Sequence, residues 1–315
     1  MGIHRLNQFL RENAGSRIQE IALADLRGKR IAVDASIYMY RFLGERGLLA
    51  GMYQMCRLFQ AWGIDPVFVF DGRPPKAKND SQQERQKRKE EAYVAHQRLE
   101  AEVRSGSREA DAMTNAELEQ LRRKSLRLGR RRIGEVRELL RLLGVAQVDA
   151  PEEADSWCAG LVASGDCWAC LSDDTDLFAC GCSRVLRHMD LHAGNCVLYD
   201  WDGQRGELGI SQDEFRCVCA AAGCDYGPGV PGVTVEEAWR LWVRWKVAPQ
   251  GLGLIEYMMG VGATWRGGSE KALNQAVDLF RKMGSERHVG PSAEEPDAAG
   301  ARAFLEEHGF VFPEG

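Results

Sequence analysis

The chain has 315 residues, 44% of them hydrophobic and 28% charged, with a formal net charge of -5. That supplies core material for one large domain or two modest ones, and no apolar run is long enough to span a bilayer. No apolar stretch follows Met1-Gly2-Ile3-His4-Arg5 as a secretory leader requires, so the ten cysteines are read as reduced thiols of an intracellular protein.

In chain order, Gly28-Lys29-Arg30 reads as a turn, with a β-rich run to Asp34 and a helix from Ala35 through Tyr40. Residues 48–62 form an amphipathic helix. Pro66 opens a second strand ending at Asp71, and Gly72-Arg73-Pro74-Pro75 breaks the chain. Residues 80–132 are polar, helix-prone and interrupted near Ser105-Gly106-Ser107. Such a stretch cannot hide an apolar face over its whole length, which predicts an exposed helical lobe. Residues 133–143 are again amphipathic, and Val145 to Val148 form a short strand. Pro151 suits the first position of a helix through Trp157 and Leu161. Residues 167–171 form a strand closing at Asp173-Asp174, and Ser183 to Leu198 read as a final α/β element. After Ser211 the chain turns helical, with glycine-rich loops between Gly223 and Gly232, and residues 284–300 read as loop. Strands alternating with helices predict an α/β fold on a mainly parallel sheet, with ligands at the carboxyl ends of its strands.

Seven acidic residues stand where these elements end or begin: Asp34, Asp71, Glu153, Asp155, Asp174, Asp176 and Asp225. A carboxylate closing a buried strand is costly unless a cation meets it. Several converging strand ends would build a cage for hard divalent cations, which points to metal-assisted phosphodiester chemistry. Glu153 and Asp155 lie two apart and share no face in mid-helix, so they converge only over a helix amino terminus. Glu152 competes for the place of Glu153. Between Arg73 and Arg141 there are 19 Lys and Arg against 12 Asp and Glu, so a basic segment lies beside an acidic remainder. That layout suits a phosphate-bearing partner as well as a solvated helix face. The pairs Cys167/Cys170, Cys180/Cys182 and Cys217/Cys219 are read as buried thiols rather than a zinc site, and His4, His188 and His192 have no matching partners.

The motifs together resemble the flap endonuclease family of structure-specific 5′ nucleases, which also holds exonuclease 1 and the xeroderma pigmentosum G-type nucleases. They are Met1-Gly2-Ile3, Ile31-Ala32-Val33-Asp34-Ala35-Ser36, Val69-Phe70-Asp71-Gly72-Arg73-Pro74-Pro75, Asp149-Ala150-Pro151-Glu152-Glu153-Ala154-Asp155, Ser172-Asp173-Asp174-Thr175-Asp176 and Gly223-Cys224-Asp225-Tyr226. The resemblance implies a PIN-like α/β nuclease fold with a helical arch and a helix–two-turn–helix region. It implies two Mg²⁺ ions, with Mn²⁺ able to substitute, held by the seven carboxylates. Lys78 and Arg85 match positions that reach the scissile phosphate. Tyr40 matches a ring that stacks on a base, the alternative being a core tyrosine. Gly2, Arg46, Arg73, Gly223 and Gly232 match positions near DNA.

The resemblance also divides the chain. Residues 1–105 form an N-terminal nuclease region that includes the start of the arch (80–132). Residues 120–215 form an internal nuclease region, 216–280 the helix–two-turn–helix, and 281–315 a C-terminal segment, all within one compact nuclease domain. Arg122, Arg123, Lys124, Arg127, Arg130, Arg131 and Arg132 are the arch's cationic stock. Where many relatives carry a basic pair after the turn Gly229-Val230-Pro231-Gly232-Val233, this chain has Glu236 and Glu237, which are expected to repel phosphate and leave the family's potassium site in question. Trp239, Trp242 and Trp245 are read as packing residues. The implied partner is branched or nicked DNA bearing a 5′ flap or end, met by a monomer without a sliding-clamp motif. The implied place is the nucleus, or a viral replication site. The competing readings are a junction, bubble or RNA-cutting relative, and a non-catalytic DNA-binding protein on a nuclease fold.

Overall fold

Asp34, Phe70, Asp149 and Leu171 close four neighbouring parallel strands at one edge of a seven-stranded sheet. The computed structural model describes residues 2–45, 47–73, 75, 78–248, 251–261 and 269–312. The strands are β1 (Ile18–Ala22), β2 (Arg30–Asp34), β3 (Asp65–Phe70), β4 (Ala146–Asp149), β5 (Ala169–Leu171), β6 (Arg184–Asp190) and β7 (Asn195–Asp200), ordered β1-β7-β6-β5-β2-β3-β4. The helices are α1 (Leu6–Asn13), α2 (Ala35–Gly44), α3 (Leu48–Trp62), α4 (Asn79–Arg104), α5 (Ala112–Lys124), α6 (Arg130–Leu142), α7 (Ala154–Ala163), α8 (Asp176–Cys180), α9 (Trp201–Leu208), α10 (Gln212–Ala222), α11 (Val235–Val247), α12 (Leu254–Val261), α13 (Glu270–Ser285) and α14 (Ala298–Glu307).

The central strands are apolar on both faces because helices cover both. Alternation along β2 and β3 splits the core in two. Ala32, Val67 and Val69 pack with α1, α7, α10 and α13, while Ile31, Val33, Phe68 and Phe70 pack with α2, α3, α6 and α14. Each fully buried Val, Ile or Phe of this kind contributes about 1.5–3 kcal/mol. Parallel pairing of β2, β3, β4, β5 and β6 sends their carboxyl ends to one edge. That edge holds the candidate site.

The sheet is mainly parallel, as the alternation predicts. Ser183 to Leu198 differs from the expected α/β element: β6 and β7 form an antiparallel hairpin with a bulge between Arg187 and Asp190. Local chemistry makes the turn. The Asp190 carboxylate accepts the amides of His192 and Ala193, and Gly194 takes φ 67°. The edge strand β1 pairs with β7 and lacks a sequence signal, since Gln19 and Glu20 interrupt its apolar pattern.

The polar stretch forms two long helices, α4 and α5, broken where expected between Ser105 and Asp111. Ion pairs Glu84–Arg88, Arg98–Glu102 and Glu100–Arg104 run along α4, each adding a few tenths of a kcal/mol. Ala92, Leu99 and Thr114 are among the few buried residues of this lobe. Residues 286–297 carry no regular secondary structure but are fixed to the body. The His288 ring stacks on Trp157 at 3.7 Å, the Arg30 guanidinium donates to the Pro291 carbonyl, and the Asp297 amide donates to Leu142 O at 2.8 Å.

Candidate functional site

Each carboxylate is placed by backbone around it. Asp34 ends β2 and caps α2, its Oδ1 accepting the amides of Ser36 at 3.1 Å and Ile37 at 3.4 Å. Its Oδ2 accepts the Ser172 hydroxyl at 2.9 Å. Asp71 follows β3, where Oδ1 accepts the Ala154 amide at 2.9 Å and Oδ2 the Ser36 hydroxyl at 2.5 Å. The Ala154 bond ties Asp71 to the amino terminus of α7, whose cap is Glu153 and whose first turn holds Asp155. Asp174 lies in the loop after β5, its Oδ1 accepting the amide of Asp176 at 3.1 Å. Asp225 comes from the loop after α10 and meets α4, where Ser81 donates to its backbone carbonyl at 2.9 Å.

These elements enclose a cavity of about 260 Å³ lined by Asp34, Asp71, Glu153, Asp155, Asp174 and Asp225, with Lys78, Arg85 and Tyr40. Asp176 is buried beside Asp174 rather than on the lining. Glu153 and Asp155 reach the cavity from a helix amino terminus, the one arrangement their spacing allowed. Pro151 does not open that helix, which begins at Ala154. The carbonyls of Pro151 and Glu152 instead accept the amides of Arg73 and Gly72, which pins this loop to the chain after β3. Glu152 also lines the cavity, but its carboxylate pairs with Lys282 at 3.2 Å.

The acidic cluster is electrostatically uneven. Burial, then the Asp71 charge, pushes the Asp34 carboxyl up to about 7. Burial, then the charge of Asp174, holds Asp155 and Asp176 well above the usual carboxylate range. Burial also raises Asp174, against the opposing hydrogen bond from the Asp176 amide. Asp225 moves the other way: burial acts to raise it, but Lys78 and Arg85 outweigh that and hold it low. For Lys78, burial acts downward, and Glu153 with Asp225 overrides it and raises the ammonium. Lys78 Nζ lies 2.5 Å from Glu153 Oε1 and 2.9 Å from Asp225 Oδ2, and Arg85 lies 3.1 Å from Asp225 Oδ2.

The donor set fits hard divalent cations. Every cavity carboxylate is an oxygen donor, and Asp155 Oδ1 and Asp176 Oδ1 are buried without a hydrogen-bond partner. Such orphaned oxygens are costly unless a cation takes them. Among the described residues no three His, Cys, Asp or Glu side chains are drawn together tightly enough to hold an ion as they stand. Lys78 stands between two of the carboxylates, Glu153 and Asp225.

The remaining expected positions divide. Tyr40 is half-buried on the cavity wall rather than in the core, with Lys89 Nζ 3.1 Å from its hydroxyl and 4.5 Å from its ring centroid. Gly2 adopts φ 81°, and any side chain there would run into Asp174, Thr175 and Asp176. Gly223 and Gly232 also take positive φ, at 91° and 79°, and Arg73 is exposed. Arg46 lies outside the described residues. Four of the basic residues expected to stock an arch are paired: Arg122 and Arg123 with Glu119, Arg127 with Glu90, Arg131 with Glu135. Glu237 does not project as a free charge after the turn. It forms a reciprocal cap with Thr234, while Glu236 pairs with Arg5 at 3.5 Å. Trp239 packs on Phe9 at 5.2 Å and on Trp242 at 4.5 Å, and Trp245 donates to Leu252 O at 3.0 Å, so all three are packing residues. Eight of the ten cysteines are buried and Cys217 and Cys224 half-buried.

Four residues at the site lay outside the expected set: Ser36, Ser81, Ser172 and Tyr226. Three stand next to or within two positions of a singled-out aspartate and inside the quoted motifs, whereas Ser81 carried no signal in the sequence. Tyr226, 6% exposed, donates from its hydroxyl to Glu153 Oε2 at 2.5 Å. Burial, then the Glu153 charge, holds its phenol far above the ordinary value, so it remains a donor.

Known proteins resemble this chain in sequence and in fold. The family models for the XPG N-terminal domain and the XPG I-region match residues 1–92 and 144–225. Flap endonuclease 1 of Leishmania major is 32% identical over 261 residues, 76% of this chain and 64% of that protein, so the chain spans less than two thirds of that relative's length. The solved catalytic core of Rad2 in complex with DNA substrate has a TM-score of 0.68 at 22% identity, over 97% of this chain and 94% of that one. Flap endonuclease-1 from Methanococcus jannaschii has a TM-score of 0.60 at 24% identity, over 93% and 91%. At these identities the likeness of the two structures is one of fold.

Proposed function

The chain belongs to the flap endonuclease family of XPG-type nucleases, and from that we propose that it is a Mg²⁺-dependent, structure-specific 5′ nuclease that hydrolyses phosphodiesters of flapped or nicked DNA. The observation that carries this reading is the cavity where seven carboxylates, Glu152 among them, line the wall with Lys78 and Arg85. Asp34, Asp71, Glu153, Asp155, Asp174, Asp176 and Asp225 would hold two ions. Bound there, the ions would supply an acidified water as nucleophile and Lewis-acid stabilisation of the leaving oxygen. Lys78 and Arg85 orient the scissile phosphate and offset the charge that builds on its oxygens. Tyr40 offers a stacking face to the neighbouring base. The α4–α5 arch admits a single strand, and the turn between α10 and α11 holds the duplex, so that the end is chosen by shape rather than by base sequence.

A role in DNA replication or repair, in the nucleus, follows from the same reading. The test is cleavage-site mapping on labelled flap, nick, bubble, junction and single-stranded RNA substrates, with Asp174→Asn beside the wild type. The expected result is cutting at the base of a 5′ flap by the wild type only, with flap binding retained by the variant. Undiminished cleavage by Asp174→Asn would overturn the metal assignment. Preference for a junction or RNA would overturn the flap assignment.

A further inference from the structure

Tyr226 is a buried polar residue behind Glu153 that the proposed chemistry leaves without a task. Its ring is fixed from below by an edge contact with Phe280 of α13, at 5.2 Å and 83°. Lys78 Nζ stands 5.6 Å from its centroid on the cavity side. Its hydroxyl meets Glu153 Oε2 at 2.5 Å, while Glu153 Oε1 meets Lys78 at 2.5 Å. The two oxygens of one carboxylate are therefore unequal. One accepts from a neutral donor inside the protein, and the other is paired with the Lys78 ammonium, which an incoming ion would displace.

We propose that Tyr226 is a positioning residue that reserves one oxygen of Glu153, leaving the carboxylate a single oxygen for a divalent ion and biasing the site toward Mg²⁺ over Ca²⁺. This rests on Glu153 serving as a metal ligand, as the proposed function has it. Mg²⁺ is small, demands near-ideal octahedral geometry and keeps several waters, so it is served by carboxylates that each give one oxygen. Ca²⁺ is larger, tolerates irregular geometry and readily takes both oxygens of one carboxylate. A Glu153 free to turn about its terminal bond could offer both. Tyr226 holds that bond in one rotation, and Phe280 holds Tyr226.

The experiment is calorimetric titration of the full chain with Mg²⁺ and with Ca²⁺, for wild type and Tyr226→Phe, with no substrate present. Tyr226→Phe keeps the ring on Phe280 and removes only the donor. Mg²⁺ affinity is expected to fall roughly 10-fold or more, the usual cost of losing an outer hydrogen bond to a metal ligand. Ca²⁺ affinity is expected to hold or rise, so the Mg²⁺-to-Ca²⁺ ratio collapses. A merely structural role would weaken both ions alike, and that result overturns the inference, as does an unchanged ratio. Glu153→Asp, whose shorter side chain withdraws from the Tyr226 hydroxyl, is expected to lose the preference as well. It carries the test should Tyr226→Phe melt without a cooperative transition, and a wild-type ratio in Glu153→Asp overturns the inference. A wild type that binds neither ion overturns the metal assignment itself, which separates failure of the proposed function from failure of this step.

Discussion

The Lys78 ammonium stands 2.5 Å from Glu153 Oε1, closer than to any other described carboxylate, with Asp225 Oδ2 at 2.9 Å on its other side. The same lysine that would meet phosphate thus neutralises part of the acidic cluster. Breaking a buried charge pair by removing one partner costs about 3–5 kcal/mol, because the other charge stays buried. Lys78→Met is therefore expected to lower stability by about 3 kcal/mol in chelator and to gain more from added Mg²⁺ than the wild type does. Urea melts with and without Mg²⁺ measure this. An equal Mg²⁺ increment in both proteins would show that Lys78 and the ions do not compete.

Asp34 gives the site a pH dependence of definite sign. Its folded value of about 7 lies above the ordinary 3.8. Between those values the metal-free folded chain holds a proton that the unfolded chain has lost, so this carboxyl removes stability as pH rises from about 4 to 7. Asp155, Asp174 and Asp176 act in the same direction. Ions need the ionised forms, so binding expels these protons. Mg²⁺ is expected to raise the melting temperature more at pH 8 than at pH 6. Calorimetry at pH 6.5 in two buffers of different ionisation enthalpy is expected to give different apparent heats, and identical heats would contradict proton release.

The sheet and the gathering of acidic residues at its carboxyl edge were legible because both have short-range signals. Apolar runs ending in Asp34 and Asp71 marked central strands and their carboxyl ends. What escaped detection depends on partners far along the chain. Glu237 looked like a repulsive charge, and only the Thr234 cap shows it satisfied locally. Pro151 matched a helix start, but Gly72 and Arg73 claimed the carbonyls that follow it and delayed the helix to Ala154. Edge strand β1 gains its identity from β7, some 175 residues away, which no window of local pattern reveals.

Tyr40 separates stacking from packing. It lies half-buried on the cavity wall, and Lys89 already approaches its ring at 4.5 Å. Loss of base stacking costs about 1–3 kcal/mol, so Tyr40→Ala is expected to slow single-turnover cleavage about 5- to 150-fold. Tyr40→Phe keeps the face and should stay close to wild type, with the melting temperatures of both variants little changed. If Tyr40→Ala instead melts early and cleaves normally per folded molecule, the ring serves the fold.

The strap over α7 tests whether the site depends on its far support. His288 stacks on Trp157 at 3.7 Å and 7°, its amide donates to Gly160 O at 3.3 Å, and a Cβ at Gly160 would run into its ring. An aromatic pair adds about 0.5–1.5 kcal/mol beyond its buried area. His288→Ala is expected to cost about 1–2 kcal/mol in urea. Gly160→Val should cost more, because the ring must leave while the helix stays. The carboxylates of α7 sit at its amino end, one turn before Trp157, where the Ala154–Asp71 hydrogen bond holds that end independently of the strap. Cleavage per folded molecule should therefore be unchanged in His288→Ala. A fall in Mg²⁺ affinity there would show instead that the strap sets the register of α7 and, through it, Glu153 and Asp155.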